Sequence, residues 1–267
     1  MNIQSKVNIF SKELTSLLRE NSLSSNDYIS VHSPIDFGSN ALNYVGNCLS
    51  STWVSTGGEY VKEFAKKLSQ YIGSPYIVPV SSGTAALKLG LQALCVKPEE
   101  EVIVPSFTFV ATANAVSHVG AIPHFVDIES VSLGIDPVKL DRYLSSIIQY
   151  KGDTPINSQT GRRIAALIVV HIYGNCCNIK EISKICIKYN IRLVEDCAGA
   201  LGTFRTDNGS WEHVGRVGDL GCLSFNGNKI LTTGGGGAIF TESKDLFDKL
   251  YHLSTTARIP HPYEIVH

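Results

Sequence analysis

Short apolar runs alternate with amphipathic segments from residue 61 to residue 241, and few folds accept that pattern. The runs 76–80, 101–105, 122–127, 165–170, 191–195, 221–225 and 237–241 are predicted strands. Segments 61–72, 83–94, 112–119, 137–148, 179–189 and 245–253 are predicted helices. Within the first of these, Val61, Phe64, Ala65, Leu68 and Ile72 recur at helical spacing, so one face is buried. Ala165-Ala-Leu-Ile-Val-Val170 has no polar position, the mark of a strand covered on both sides. Strands alternating with helices predict an α/β layer around a mostly parallel sheet. The polar stretch 151–161 reads as a loop. Residues 1–30, with a weak helical pattern around Phe10, Leu14, Leu17 and Leu18, read as an N-terminal appendage.

A chain of 267 residues can bury a full core as one large domain or two smaller ones. Its 23 Lys and Arg against 24 Asp and Glu leave a formal charge of −1. That balance gives no electrostatic footprint for nucleic acid and no basic run for a membrane surface. No apolar stretch reaches membrane-spanning length, and Met1-Asn-Ile-Gln-Ser-Lys6 lacks the apolar centre of a signal peptide. Seven cysteines, an odd number without a repeating pattern, read as free buried thiols in a reducing cytoplasm. A cytoplasmic enzyme is the expectation.

Ser224-Phe-Asn-Gly-Asn-Lys229 puts one lysine on a polar loop between an apolar strand and the glycine run 234–237. A lone lysine is ordinarily a solvated cation; it becomes a Schiff-base nucleophile where desolvation or neighbouring charge frees its amine. Ser81-Ser-Gly83-Thr84 joins a strand to a helix through small residues, which suits a bound phosphate or a plain N-cap. Asp196 follows Glu195 at a strand end and suits a pyridinium nitrogen, a helix cap or a buried ion pair. Phe109, at a strand-to-helix junction, serves a ring stack or the core. The glycines 234–237 allow close backbone approach beside a ligand, or a flexible turn. Together on one α/β layer, these features favour the Schiff-base reading.

Other chemistries lack their spacing. G-x-x-x-x-G-K-[ST] is absent, and Gly215-Arg-Val-Gly218-Asp-Leu-Gly221 does not fit G-x-G-x-x-G. Adjacent Cys176 and Cys177 beside His171 lack the C-x-x-C of zinc sites. Cys222 stands where a G-x-S-x-G elbow around Ser224 needs glycine.

These pieces run in order through residues 43–267 with Ser51-Thr-Trp53-Val54-Ser55-Thr, Ser82-Gly-Thr-Ala-Ala-Leu87, Pro105-Ser-Phe-Thr-Phe-Val-Ala-Thr-Ala-Asn-Ala115, Gly120-Ala-Ile-Pro123 and Glu195-Asp196. So ordered, the chain resembles the DegT/DnrJ/EryC1/StrS family of nucleotide-sugar aminotransferases dependent on pyridoxal phosphate (PLP). Within that family the nearest look is to the LegC-type enzymes of bacillosamine and legionaminic acid synthesis.

The resemblance implies a fold-type-I, aspartate-aminotransferase-like large domain over 31–253, with a mostly parallel sheet of the seven-stranded type. From 254 it implies the start of a small C-terminal domain that is largely missing. Pyridoxal phosphate is the implied cofactor. Lys229 then matches the aldimine lysine and proton shuttle, and Asp196 the partner of the ring nitrogen. Gly83, Thr84 and Ser224 match phosphate-holding positions, and Phe109 the aromatic stacked on the ring. Glutamate is the implied amino donor. The acceptor would be a UDP-linked 4-keto-6-deoxy-N-acetylhexosamine, for surface-glycan or nonulosonic acid synthesis, and the full-length assembly a homodimer. Two readings stand beside this one. The end at His267 suits a non-catalytic fragment of such an enzyme. A PLP-dependent nucleotide-sugar dehydratase is the other, although those relatives carry histidine in place of the lysine. Gly199 departs from the pattern, because the family often has Gln, His or Glu there, near the cofactor's ring hydroxyl.

Overall fold

The computed structural model describes residues 40–255 except 208, together with residue 257. The appendage expected over 1–30 lies outside the described residues, as does nearly all of the segment after 254. Among the described residues, two helices, α1 (Ala41–Ser51) and α2 (Glu59–Ile72), precede the first strand. Then come β1 (Tyr76–Val80), α3 (Gly83–Ala93), β2 (Glu101–Pro105), α4 (Val110–His118), β3 (Ile122–Val126) and α5 (Pro137–Ile147). A hairpin, β4 (Ile148–Lys151) and β5 (Thr154–Asn157), leads to β6 (Ile164–Val170), α6 (Ile179–Tyr189) and β7 (Arg192–Asp196). A second hairpin, β8 (Phe204–Asp207) and β9 (Ser210–His213), precedes β10 (Leu220–Ser224), β11 (Gly237–Thr241) and α7 (Lys244–Ser254).

Seven strands form one sheet in the order β1-β11-β10-β7-β6-β2-β3. Strand β11 runs antiparallel to both its neighbours, and every other pair is parallel. The carboxyl ends of β1, β2, β6, β7 and β10 therefore emerge along one edge, where β11 begins. An α/β sheet presents its ligands at that edge. The architecture is the expected α/β layer around a mostly parallel seven-stranded sheet.

All seven residues of β6 are buried, because the pleat sends them to two covered faces. Ala166 and Ile168 pack with Leu87, Leu91, Val116 and Leu250 of α3, α4 and α7. Leu167 and Val169 pack with Leu140, Leu144 and Ile182 of α5 and α6. Leu68 and Ile72 of α2 close a third cluster over Ile77, Leu223 and Phe240. Each such aliphatic side chain contributes roughly 1.5–3 kcal/mol by leaving water. Local signals set the helix ends. Asp136 accepts from the amides of Val138 and Lys139 ahead of Pro137, and α2 stops at Gly73 in the left-handed region, φ +78°.

Segment 151–161, expected as a loop, is instead half of a hairpin. Strands β4 and β5 pair from Ile148 with Asn157 to Lys151 with Thr154. Its polar residues serve the interior: Asn157 Nδ2 and Thr160 Oγ1 donate to the buried Glu101 carboxylate at 2.9 and 2.6 Å. Among the described residues, no helix is long and apolar enough to cross a membrane.

Candidate active site

Asp196 is the last residue of β7 and only 4 % exposed. Val170 of β6 and Cys222 of β10 flank it in the sheet, so it stands in the middle of the carboxyl edge. Its Oδ2 accepts from Thr112 Oγ1 at 2.8 Å, and Oδ1 from the Ala198 amide at 3.0 Å. Thr112 has one hydroxyl proton and gives it to the carboxylate, so Thr108, 2.8 Å away, donates to Thr112. Burial pushes the Asp196 carboxyl above its ordinary value. The Ala198 amide, the Thr112 hydroxyl and the charge of Lys229 pull the other way without overcoming it.

Lys229 lies on the loop between β10 and β11, where its amide donates to the Asn226 carbonyl at 3.0 Å. Two bonds close the base of that loop: Phe225 N–H to the Gly236 carbonyl at 2.8 Å, and Thr233 N–H to the Phe225 carbonyl at 3.0 Å. Lys229 Nζ sits 6.0 Å from the centre of the Phe109 ring. Phe109 is the N-cap residue of α4 and 72 % exposed, so it is not a core aromatic.

Gly83 and Thr84 are the first two residues of α3, where backbone amides have no acceptor within the helix. The Ser82 hydroxyl takes the amide of Ala85 at 3.0 Å. A Cβ on Gly83 would meet Ser224 Cβ at 2.8 Å, so only glycine lets the end of β10 come this close to the helix. On β11, a Cβ at Gly237 would meet the Ser82 carbonyl carbon at 2.5 Å. The last glycine of the run thus serves the approach of β11 to the turn before α3.

The pleat splits Glu195 from Asp196. Glu195 is fully buried, with Oε1 accepting from the amides of Val217 and Gly218 at 2.8 and 2.7 Å. Its Oε2 accepts from the Gly215 amide at 2.8 Å and from His171 Nε2 at 2.9 Å. His171 Nδ1 accepts from the Cys177 amide at 3.3 Å, which leaves the proton on Nε2. Burial alone would raise the Glu195 carboxyl, yet His171 and the amides of Gly218 and Gly215 bring it below its ordinary value. The His171 amide also donates to the Asp196 carbonyl at 3.1 Å, so this network braces the strand end that carries Asp196.

Sequence reasoning missed Thr108, Thr112 and the bracing role of His171 with Glu195. Thr112 lies three residues beyond Phe109, on the first turn of α4, and that helical spacing was its available signal. At Gly199 a Cβ would meet nothing within 4 Å, so a larger side chain has room there. A separate cavity of about 710 Å³ lies between α1, α2 and the glycine run, lined by Tyr44, Trp53, Val54, Phe64, Phe225 and Gly236 among others. Asp196, Phe109 and Lys229 do not line it.

Residues 36–261 match the model of the DegT/DnrJ/EryC1/StrS aminotransferase family. GDP-perosamine synthase of Escherichia coli O157:H7 is 34 % identical over 225 residues, covering 84 % of this chain and 56 % of that protein. A DegT DnrJ EryC1 StrS aminotransferase from Brucella abortus is 31 % identical with a TM-score of 0.71, covering 88 % of this chain and 62 % of that one. Spr1654 from Streptococcus pneumoniae, solved in a PLP form, is 26 % identical with a TM-score of 0.72, covering 90 % and 61 %. The chain spans about half the length of the curated relatives it matches. With its sheet order, its carboxyl-edge residues and a family match over most of its length, the chain belongs to the DegT/DnrJ/EryC1/StrS aminotransferase family.

Proposed function

We propose that this chain carries the cofactor site of a sugar aminotransferase, which moves an amino group from an amino acid such as glutamate to a nucleotide-linked keto sugar. The buried Asp196 carboxylate within electrostatic reach of Lys229 supports the reading most. The family's cofactor is pyridoxal phosphate. The residues fit it: a buried acceptor at the sheet edge, a helix N-terminus that Gly83 lets Ser224 approach closely, and an exposed aromatic face near an amine.

When bound, the cofactor supplies an electron sink beside the reacting carbon. Asp196 would keep a proton on its ring nitrogen, with Thr112 and Thr108 fixing the carboxylate's direction. The first-turn amides at Gly83 and Thr84 and the Ser224 hydroxyl would bind the phosphate. Phe109 would cover one ring face. Lys229 Nζ would hold the cofactor covalently and, once the donor displaces it, take up and return the donor's α-carbon proton.

The LegC-type resemblance supports a UDP-linked 4-keto-6-deoxy-N-acetylhexosamine as acceptor, whereas the GDP-perosamine synthase relatives support a GDP-linked sugar. Both acceptors join a nucleoside diphosphate to a keto sugar, in the service of surface-glycan or nonulosonic acid synthesis. A homodimer working in the cytoplasm completes the proposal.

The test mixes PLP-loaded chain with glutamate and each keto-sugar nucleotide, and follows the amino sugar and 2-oxoglutarate by mass spectrometry. Both products form with one of the two acceptors, and neither forms with Lys229→Ala. Cofactor uptake without amino sugar from either acceptor would overturn the reading in favour of a chain that binds without turnover.

A further inference from the structure

We propose that Cys95 and Lys249 form a redox-sensitive cross-link, in which one oxygen atom bridges the cysteine sulfur and the lysine nitrogen. The two residues are 154 positions apart in the chain, yet Lys249 Nζ lies 2.7 Å from Cys95 Sγ. Two sulfur-to-carbonyl hydrogen bonds are longer: 3.3 Å from Cys176 Sγ to the Cys177 carbonyl and 3.9 Å from Cys95 Sγ to the Ala93 carbonyl. A direct covalent bond would be much shorter, since even sulfur to sulfur spans only ~2.05 Å. The separation lies between these limits, where a single bridging atom fits.

Access and rigidity favour the same pair. The expectation of buried thiols holds for Cys177, Cys186, Cys197 and Cys222 but fails at Cys95, which is exposed just past a helix end, and at the half-buried Cys48 and Cys176. An oxidant therefore meets Cys95 first. Cys95 sits just past the end of α3 with φ +61°, a left-handed conformation that an L side chain rarely adopts. Its amide bond to the Gln92 carbonyl, at 3.0 Å, holds that turn. Lys249 stands on α7, whose neighbouring Leu250 is buried against the same core as Leu87 and Leu91 of α3. Both partners thus ride on elements already packed together.

The chemistry balances with a peroxide as oxidant. One peroxide converts the thiol to a sulfenic acid and water. A second converts the unprotonated lysine amine to a hydroxylamine and water. The two hydroxyl groups then condense, releasing a third water and leaving sulfur, oxygen and nitrogen in line. Sulfur and nitrogen each lose two electrons, and the peroxides are reduced. The product ties the far end of α3, the helix whose first turn borders Ser224, to α7.

Wild-type chain, Cys95→Ser and Lys249→Arg are treated with hydrogen peroxide, digested without reductant and mapped by mass spectrometry. The wild type yields one linked peptide pair holding Cys95 and Lys249, heavier by one oxygen and lighter by two hydrogens than the separate peptides. Dithiothreitol separates the pair, and neither variant yields it. Intact-chain mass shows the same increment, and the linked chain melts at a higher temperature than its reduced form, as closing a long loop requires. Oxidised Cys95 without a linked peptide, a link lacking the oxygen, or a link that persists in Lys249→Arg would each overturn the proposal.

Discussion

Adjacent carboxylates of β7 have opposite titration behaviour, and the difference predicts opposite mutational effects. Asp196 is held above its ordinary value by burial, so the folded chain binds that proton more tightly than the unfolded chain does. The advantage is present while the proton is on and disappears as pH rises through the folded value; near neutrality the charged group is a net cost. Asp196→Asn should therefore raise the melting temperature of the cofactor-free chain near neutral pH, with the gain shrinking as the pH falls toward about 4. The same variant should lose on the order of 100-fold in turnover, because the ring nitrogen loses its anionic partner. Glu195 is held below its ordinary value, so its contribution is present above the unfolded value and lost as pH falls through the folded one. Glu195→Gln should cost ~3 kcal/mol by urea denaturation near neutral pH and progressively less in acid. Gly199 faces open space, so Gly199→Gln should change stability by no more than about 0.5 kcal/mol and tighten cofactor binding through a new side-chain contact. Fluorescence titration with pyridoxal phosphate reads that gain.

At the scale of elements, the turn before α3 is the tightest joint at the candidate site. Gly237→Ala would drive a Cβ against the backbone of Ser82, which cannot rotate away. The expected cost is ~2 kcal/mol in thermal or urea unfolding, with cofactor affinity falling as Ser224 and Gly83 move apart. Apolar periodicity made all seven strands of the main sheet legible, because β6 and its neighbours must be covered on both faces. It failed where burial was polar. The β4–β5 hairpin hides Asn157 and Thr160 against Glu101, and no apolar pattern marks it. It failed again at α1, where Leu42, Val45 and Leu49 are exposed, so the helix presents no buried stripe.

Across the whole molecule, the candidate site is assembled from segments distant in sequence: 83–84, 109–112, 196, 224 and 229. Short motifs brought Lys229, Asp196, Gly83, Thr84 and Phe109 forward as candidates, and the family resemblance added Ser224. The bond from Thr112 to Asp196 crosses 84 positions, and no local motif announces such a pairing. Nor did spacing reveal that His171 braces Glu195 across 24 positions. Lys229 is the proposed covalent anchor of the cofactor. The most direct test of that role is reduction of PLP-treated chain with borohydride, followed by peptide mapping beside Lys229→Ala. One stable label on Lys229, absent from the variant, is the predicted result. A label retained by Lys229→Ala, or spread evenly over other lysines of the wild type, would contradict it.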